Sequence, residues 1–139
     1  MRYLLDASSL LLLIKNADIK STVDCLEVSS VLDLTFYEVG NAIWKESTLT
    51  KYLTPKEAER LGMMAQTVLA KINRVTISEA EAFQRILEIA QTERLSYYDS
   101  SYVYAAKENG LPLITEDTGL ITKARKHVEV STVAALTTQ

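Results

Sequence analysis

The sequence predicts an α/β fold built on a mostly parallel sheet. Short apolar runs alternate with longer helical patterns along the whole chain. The candidate strands are apolar throughout rather than alternating, as strands are when both faces are covered. The 139 residues, 47% hydrophobic and 24% charged, are enough for one domain with a real core. A single domain over residues 1–139 is therefore expected, without linker, internal repeat or low-complexity segment.

Residues 2–5, RYLL, read as a short buried strand. DASSLLLLIKN then passes from cap-type residues into leucines, a turn leading into a helix. ADIKSTVDCLEVS suggests a second short helix, and VLDL, residues 31–34, a second strand. In TFYEVGNAIWKESTLT a helical pattern lets Phe36, Val39, Ile43 and Trp44 share a face, with Trp44 in the core. Thr54-Pro55-Lys56-Glu57 and Ser78-Glu79-Ala80-Glu81 both have the form of a capping box, the first with proline at the opening helical position. RVTI, residues 74–77, is a β-branched strand candidate between those two helices. SYYDSSYVYAAKEN is the next helix, stopped by Gly110 with Pro112 soon after. LPLIT reads as a strand, TGLITKARK as a short helix and VEVST as the last strand.

Composition removes several classes of function. No apolar run is long enough to span a bilayer. Asp6 interrupts the apolar start and no small-residue cleavage site follows, so a signal peptide is not expected. A lone cysteine, Cys25, cannot form an internal disulfide or a cysteine-rich metal site. The single His127 leaves no histidine-based zinc site and makes a Ser-His-Asp triad improbable. Any metal must then be held mostly by oxygen. A formal net charge of −3 does not advertise a nucleic-acid binder, although net charge hides local distribution.

The acids are where the sequence becomes informative. In a parallel sheet, ligands bind beyond the carboxyl ends of the strands. Asp6 follows the first strand, Glu38 lies one turn into the helix after the second, and Glu116 and Asp117 follow LPLIT. Asp99, in the first turn of the helix leading into LPLIT, reaches the same edge if that helix begins there. Each has a plainer reading. Asp6 and the acids at 116–117 could cap helices, Asp99 could answer a helix dipole, and Glu38 could be solvated. Glu38, however, sits among Phe36, Val39 and Ala42, close to an apolar face, where acids usually have partners. Clustered carboxylates repel one another, and a divalent cation removes the conflict. Oxygen ligands favour Mg²⁺ or Mn²⁺, and the chemistry that follows is phosphodiester hydrolysis, which needs no histidine.

LLDASSL, YEVGNAIWK and YYDSSYVYAAKENGLPLITED together resemble the signature regions of PIN-domain proteins, and more narrowly of the VapC toxins of type II toxin–antitoxin pairs. The resemblance covers nearly the whole chain. It matches Asp6-Ala7-Ser8, Glu38 with Asn41 three residues on, Asp99 heading an alanine-rich helix, and Thr115-Glu116-Asp117. Ala7 stands where threonine is more usual, and Glu116 adds an acid beside Asp117. The resemblance implies a three-layer α/β/α fold and a cytoplasmic, Mg²⁺- or Mn²⁺-dependent endoribonuclease. Asp6, Glu38, Asp99 and Asp117 would hold one or two ions, with Asp117 favoured over Glu116 by the Thr-x-Asp pattern. Ser8, Asn41, Thr115 and Glu116 would orient ligands or waters. It also implies an RNA substrate, a VapB-type antitoxin partner, a homodimer and no membrane association.

Other residues carry weaker signals. Among Tyr97, Tyr98, Tyr102 and Tyr104, tyrosines can stack on unpaired bases, but helical spacing makes Tyr98 and Tyr102 core or interface residues first. Lys45, Lys51, Lys123, Arg125 and Lys126 could contact phosphates or form a solvated face. Met63 and Met64 suit packing against a partner helix. Two other functions fit a small acidic α/β domain. A receiver-type signalling domain needs a phosphoacceptor Asp after a central strand and a Lys after a late one; Asp33 sits inside VLDL, and no Lys follows LPLIT. A PIN-like module without catalysis would serve only binding or assembly. Acid-dependent Mn²⁺ binding with RNA cleavage separates the enzyme from both.

Overall fold

The computed structural model describes residues 2–16 and 18–137. Five strands form one parallel sheet: β1 (Tyr3–Leu5), β2 (Ser29–Val31), β3 (Asn73–Arg74), β4 (Leu113–Ile114) and β5 (Val130–Ser131), in the order β3-β2-β1-β4-β5. Between them run α1 (Ala7–Lys15), α2 (Ile19–Glu27), α3 (Asp33–Trp44), α4 (Pro55–Leu69), α5 (Ala82–Glu93), α6 (Tyr97–Asn109), α7 (Thr118–Ala124) and, last, α8 (Val133–Thr137). Ala17, the expected first residue of the second helix, lies outside the described residues, as do Met1, Thr138 and Gln139.

Strand geometry sends successive side chains to opposite faces, and β1 shows the result. Leu5 joins the core formed with α1, α3, α4 and α8, while Leu4 joins the core formed with α6 and α7. The expected three-layer α/β/α arrangement follows, with one core on each side of the sheet. Because β1 pairs with β2 on one side and β4 on the other, the chain reverses its direction of progress across the sheet between β1 and β4. That reversal opens a crevice at the carboxyl edge. This strand order also differs from the 2-1-3-4-5 order of receiver-like sheets.

Several elements depart from expectation. The second strand is Ser29–Val31 rather than 31–34, and α3 already begins at Asp33. The Thr35 hydroxyl accepts the Leu32 N–H and starts the helix there. Ser29 and Ser30 are buried in this strand because their hydroxyls donate to the Cys25 and Tyr3 carbonyls. The third strand covers only Asn73–Arg74 and is exposed. Thr54 and Glu57 form the expected capping box, with Pro55 opening α4. Ser78–Glu81 forms none: α5 starts at Ala82, on backbone turns from Glu79 and Ala80. On α3 the buried stripe is Thr35, Val39 and Ile43, at helical spacing, and α3 continues into a π-helical turn over Lys45–Leu49. Phe36 and Trp44 stand about half exposed, so Trp44 is not a core residue. Met63 and Met64 are likewise exposed on α4.

Candidate active site

Asp6 leaves β1 at the carboxyl edge and caps α1. It is buried, yet well supplied with donors. Its Oδ1 accepts the Ser9 N–H at 2.9 Å and the Ser8 hydroxyl at 2.7 Å, and its Oδ2 accepts the Thr115 hydroxyl. Thr115 follows β4, and its side-chain oxygen also accepts the Asp117 N–H at 3.1 Å. The Ser9 hydroxyl lies 2.8 Å from the Ile114 carbonyl and fastens α1 to the end of β4. One threonine thus ties the acid after β1 to the backbone of the acid after β4.

Asp117 caps α7, accepting the Leu120 N–H at 3.1 Å, and remains exposed on the crevice. Its neighbour Glu116 turns elsewhere. The Glu116 Oε1 accepts the Val133 N–H at 2.8 Å, so this side chain serves the start of α8. The helix α8 has no clear signature in the sequence, and neither does the use of Glu116 to hold it.

The remaining acids come from helices on the two faces of the sheet. Asp99 lies in the first turn of α6, whose N-cap is Ser96. That helix runs back against the strands, so its start lies at the carboxyl edge. Glu38 lies on α3, where the Tyr102 hydroxyl donates to its Oε1 at 2.7 Å. Asp6, Ser8, Glu38, Asn41, Asp99 and Asp117 line one groove of about 770 Å³. Lys45 supplies a cation to its wall, and Leu34, Tyr37, Ala42 and Tyr98 give it an apolar side. Of the tyrosines, Tyr98 is exposed on the groove, whereas Tyr102 and Tyr104 are buried. Of the basic residues after β4, Lys123 donates to the Arg94 carbonyl, and Lys126 pairs with Glu93. The Thr35–Tyr102–Glu38 connection spans 67 residues and has no local signature, although the 3.6-residue period already puts Asp99 and Tyr102 on one face of α6.

The electrostatics are those of uncompensated acids. Burial raises the Asp99 pKa, and the charges of Asp117 and Asp6 raise it further against a hydrogen bond from Ser96. Burial likewise raises that of Glu38, with Asp99 and Asp6 adding to it and the Tyr102 bond opposing. Among the described residues no three acids are drawn into a closed ligand set. The donors nevertheless suit a hard divalent cation: all are oxygens, they line one groove, and their mutual repulsion is what such a charge relieves.

The strand order, with an acidic crevice at its switch point, matches the PIN-like fold of the solved structures that superpose on it. No family model matches the chain. Exonuclease VapC9 of Pyrobaculum aerophilum is 32% identical over 133 residues, covering 96% of this chain and 93% of that protein. The chain belongs to the VapC family. A crystal structure of a Pyrobaculum aerophilum protein superposes with a TM-score of 0.82 at 30% identity, over 99% of this chain and 88% of that one. FitAcB from Neisseria gonorrhoeae gives 0.62 at 21% identity, over 92% and 95%. VapBC2 from Rickettsia felis, bound to a DNA fragment from its promoter, gives 0.63 at 13%, over 95% and 98%. These last two share the fold.

Proposed function

We propose that this chain is a Mg²⁺- or Mn²⁺-dependent ribonuclease that hydrolyses RNA phosphodiester bonds as the toxin of a VapBC-type pair. The observation that carries the reading is the convergence of Asp6, Glu38, Asp99 and Asp117, from four segments, on one groove of a VapC-family chain. Asp6, Glu38, Asp99 and Asp117 would hold the ion. Such an ion, when bound, neutralises phosphate charge and makes water a better nucleophile at neutral pH.

The chain's own residues do the rest. Ser8, Ser9 and Thr115 fix the Asp6 carboxylate, and Leu120 N–H fixes Asp117. Whichever groove carboxylate keeps an oxygen free of the ion would accept the proton that an attacking water gives up. The water oxygen would bond to phosphorus as the bond to the leaving oxygen breaks, and the leaving oxygen would take its proton from solvent water. Lys45 offers a phosphate contact at the groove wall, and Tyr98 a ring against which an unpaired base can lie.

The experiment presents linear and circular RNA to the purified chain with Mg²⁺, Mn²⁺ or EDTA, alongside Asp6→Ala and Asp99→Ala. Metal-dependent cutting of the circle, lost in both variants, is the expected endonucleolytic result. Cutting of linear RNA alone would make the action exonucleolytic, as in the name of the Pyrobaculum relative. Cleavage that survives EDTA or both substitutions would overturn the mechanism. A VapB-type antitoxin and a second copy of the chain are the proposed partners, since Phe36, Tyr37 and Trp44 expose large apolar side chains along α3. No helix among the described residues is long and apolar enough to cross a membrane, and the proposed place of action is the cytoplasm.

A further inference from the structure

Glu38 is the one groove acid whose oxygen is tied to a buried phenol, and this contact carries an inference that rests on the metal-dependent reading above. We propose that Tyr102 and Thr35 are positioning residues: they hold the Glu38 carboxylate in the orientation in which it receives the divalent cation.

The geometry gives the contact a direction. The Leu32 N–H donates to Thr35 Oγ1 at 3.2 Å, Thr35 Oγ1 lies 2.8 Å from the Tyr102 oxygen, and the Tyr102 hydroxyl donates to Glu38 Oε1 at 2.7 Å. A phenol has one proton, and here it is committed to Glu38. The Thr35 hydroxyl must therefore donate to Tyr102 while accepting from Leu32. Each bond in such a row polarises the next, and a charged acceptor at its end makes the last bond a strong one.

The placement also suits a positioning role. Thr35 is fully buried and Tyr102 is 1% exposed, so neither hydroxyl can exchange its partner for water. Thr35 is fixed at the start of α3, one turn before Glu38. Tyr102 is fixed on α6, one turn after Asp99 and on the same face. The bond therefore sets α3 and α6, each carrying one acid, in register with each other. It occupies Oε1 and leaves Oε2 to a ligand. Without it, Glu38 would be a partly buried, mutually repelled carboxylate with several rotamers to choose from.

The test is calorimetric titration of the purified full-length chain with Mn²⁺ alone, combined with cleavage kinetics and melting curves. Tyr102→Phe is expected to weaken Mn²⁺ binding by about tenfold or more, the usual scale for an outer partner of a metal ligand. It should lower kcat with little change in KM for RNA. Thr35→Val should weaken Mn²⁺ binding in the same direction, and Thr35→Ser, which restores the hydroxyl, should return it towards wild type. In a Glu38→Ala background, Tyr102→Phe should have no further effect on Mn²⁺. Wild-type Mn²⁺ affinity in Tyr102→Phe, with only a lowered melting temperature, would make the tyrosine purely structural and overturn the inference. So would an undiminished Tyr102→Phe effect in the Glu38→Ala background. If Tyr102→Phe does not fold, the contrast between Thr35→Val and Thr35→Ser decides: equal Mn²⁺ affinities overturn the inference. A wild-type chain that binds no Mn²⁺ sinks the metal-dependent reading itself. Wild-type binding that Asp6→Asn abolishes and Glu38→Ala does not would spare that reading and sink only the role of Tyr102.

Discussion

Asp99 is a residue that burdens the fold while lining the groove proposed as the active site. Its carboxyl is raised from an ordinary value of 3.8, through burial and then through Asp117 and Asp6. A raised acid binds its proton more tightly when folded than when unfolded. Its contribution therefore favours folding below the ordinary value and is lost as pH rises through the window above it. Glu38 behaves in the same way from 4.5 upward. At neutral pH without a divalent cation, both charges oppose folding. Asp99→Asn keeps the shape and removes the charge. In EDTA at pH 7 it should melt at a higher temperature than wild type, and the gap should narrow as pH falls towards 4. RNA cleavage should fall by about 10²-fold or more, the scale of a lost acid or base. Equal melting temperatures at pH 7 would show that the acids are not in conflict. The adjacent pair 116–117 divides its work differently. Glu116→Ala removes the side chain that accepts Val133 N–H, and should cost about 1 kcal/mol, as a lost cap does, with Mn²⁺ binding intact. Asp117→Ala should lose Mn²⁺ binding and cleavage. The reverse pattern would give the site to Glu116.

At the level of elements, two helix stops make a matched comparison. Helix α6 ends on Gly110 at φ 62°, and α5 ends on Arg94 at φ 55°. Glycine adopts this left-handed conformation freely, whereas a residue with a Cβ is strained by roughly 1 kcal/mol. Space is open around Gly110, so Gly110→Ala should lose only that strain, about 1 kcal/mol in denaturant melts. Arg94→Gly should gain up to a similar amount, less what the flexible unfolded chain takes back. Neither should change cleavage. These stops also mark what could be read in advance. Gly110, the Thr54 box and the cap-type Asp6 were legible because their partners lie within four residues. So was the edge at which Asp6, Glu38 and Asp117 gather, since it follows from their positions just after strands of a parallel sheet. What depended on distant partners was hidden. The second strand takes in Ser30, whose hydroxyl finds the Tyr3 carbonyl 27 residues away, and Trp44 lies off the buried stripe of α3, which is Thr35, Val39 and Ile43. The Ser78 box did not form because α5 takes its start from Ala82, buried against α6. Glu116 as a cap, and Tyr102 as the partner of Glu38, join residues 17 and 64 positions apart.

The whole molecule poses a problem for a protein meant to cut a polyanion. Its net charge is −3, and the groove itself holds four carboxylates against Lys45. Ordinary nucleic-acid binders gain affinity by releasing counterions from phosphates, which gives a steep dependence on monovalent salt. On the proposed reading the groove repels phosphate unless a divalent cation reverses its local charge, and such an ion would govern binding as well as chemistry. RNA affinity in EDTA should therefore be weak, and its fall with added KCl should be shallow. Mg²⁺ should tighten binding far more than matched ionic strength predicts. The sharper consequence concerns charge removal. Asp99→Asn, though poor at cleavage, should bind RNA more tightly than wild type in EDTA, because one repelling charge is gone from the groove. Fluorescence anisotropy of a labelled single-stranded RNA, in EDTA and in Mg²⁺, reads all of these. Tight binding of the wild type in EDTA with a steep salt slope would place RNA on another, basic face. Phosphates would then reach the acids only as the substrate bends towards them.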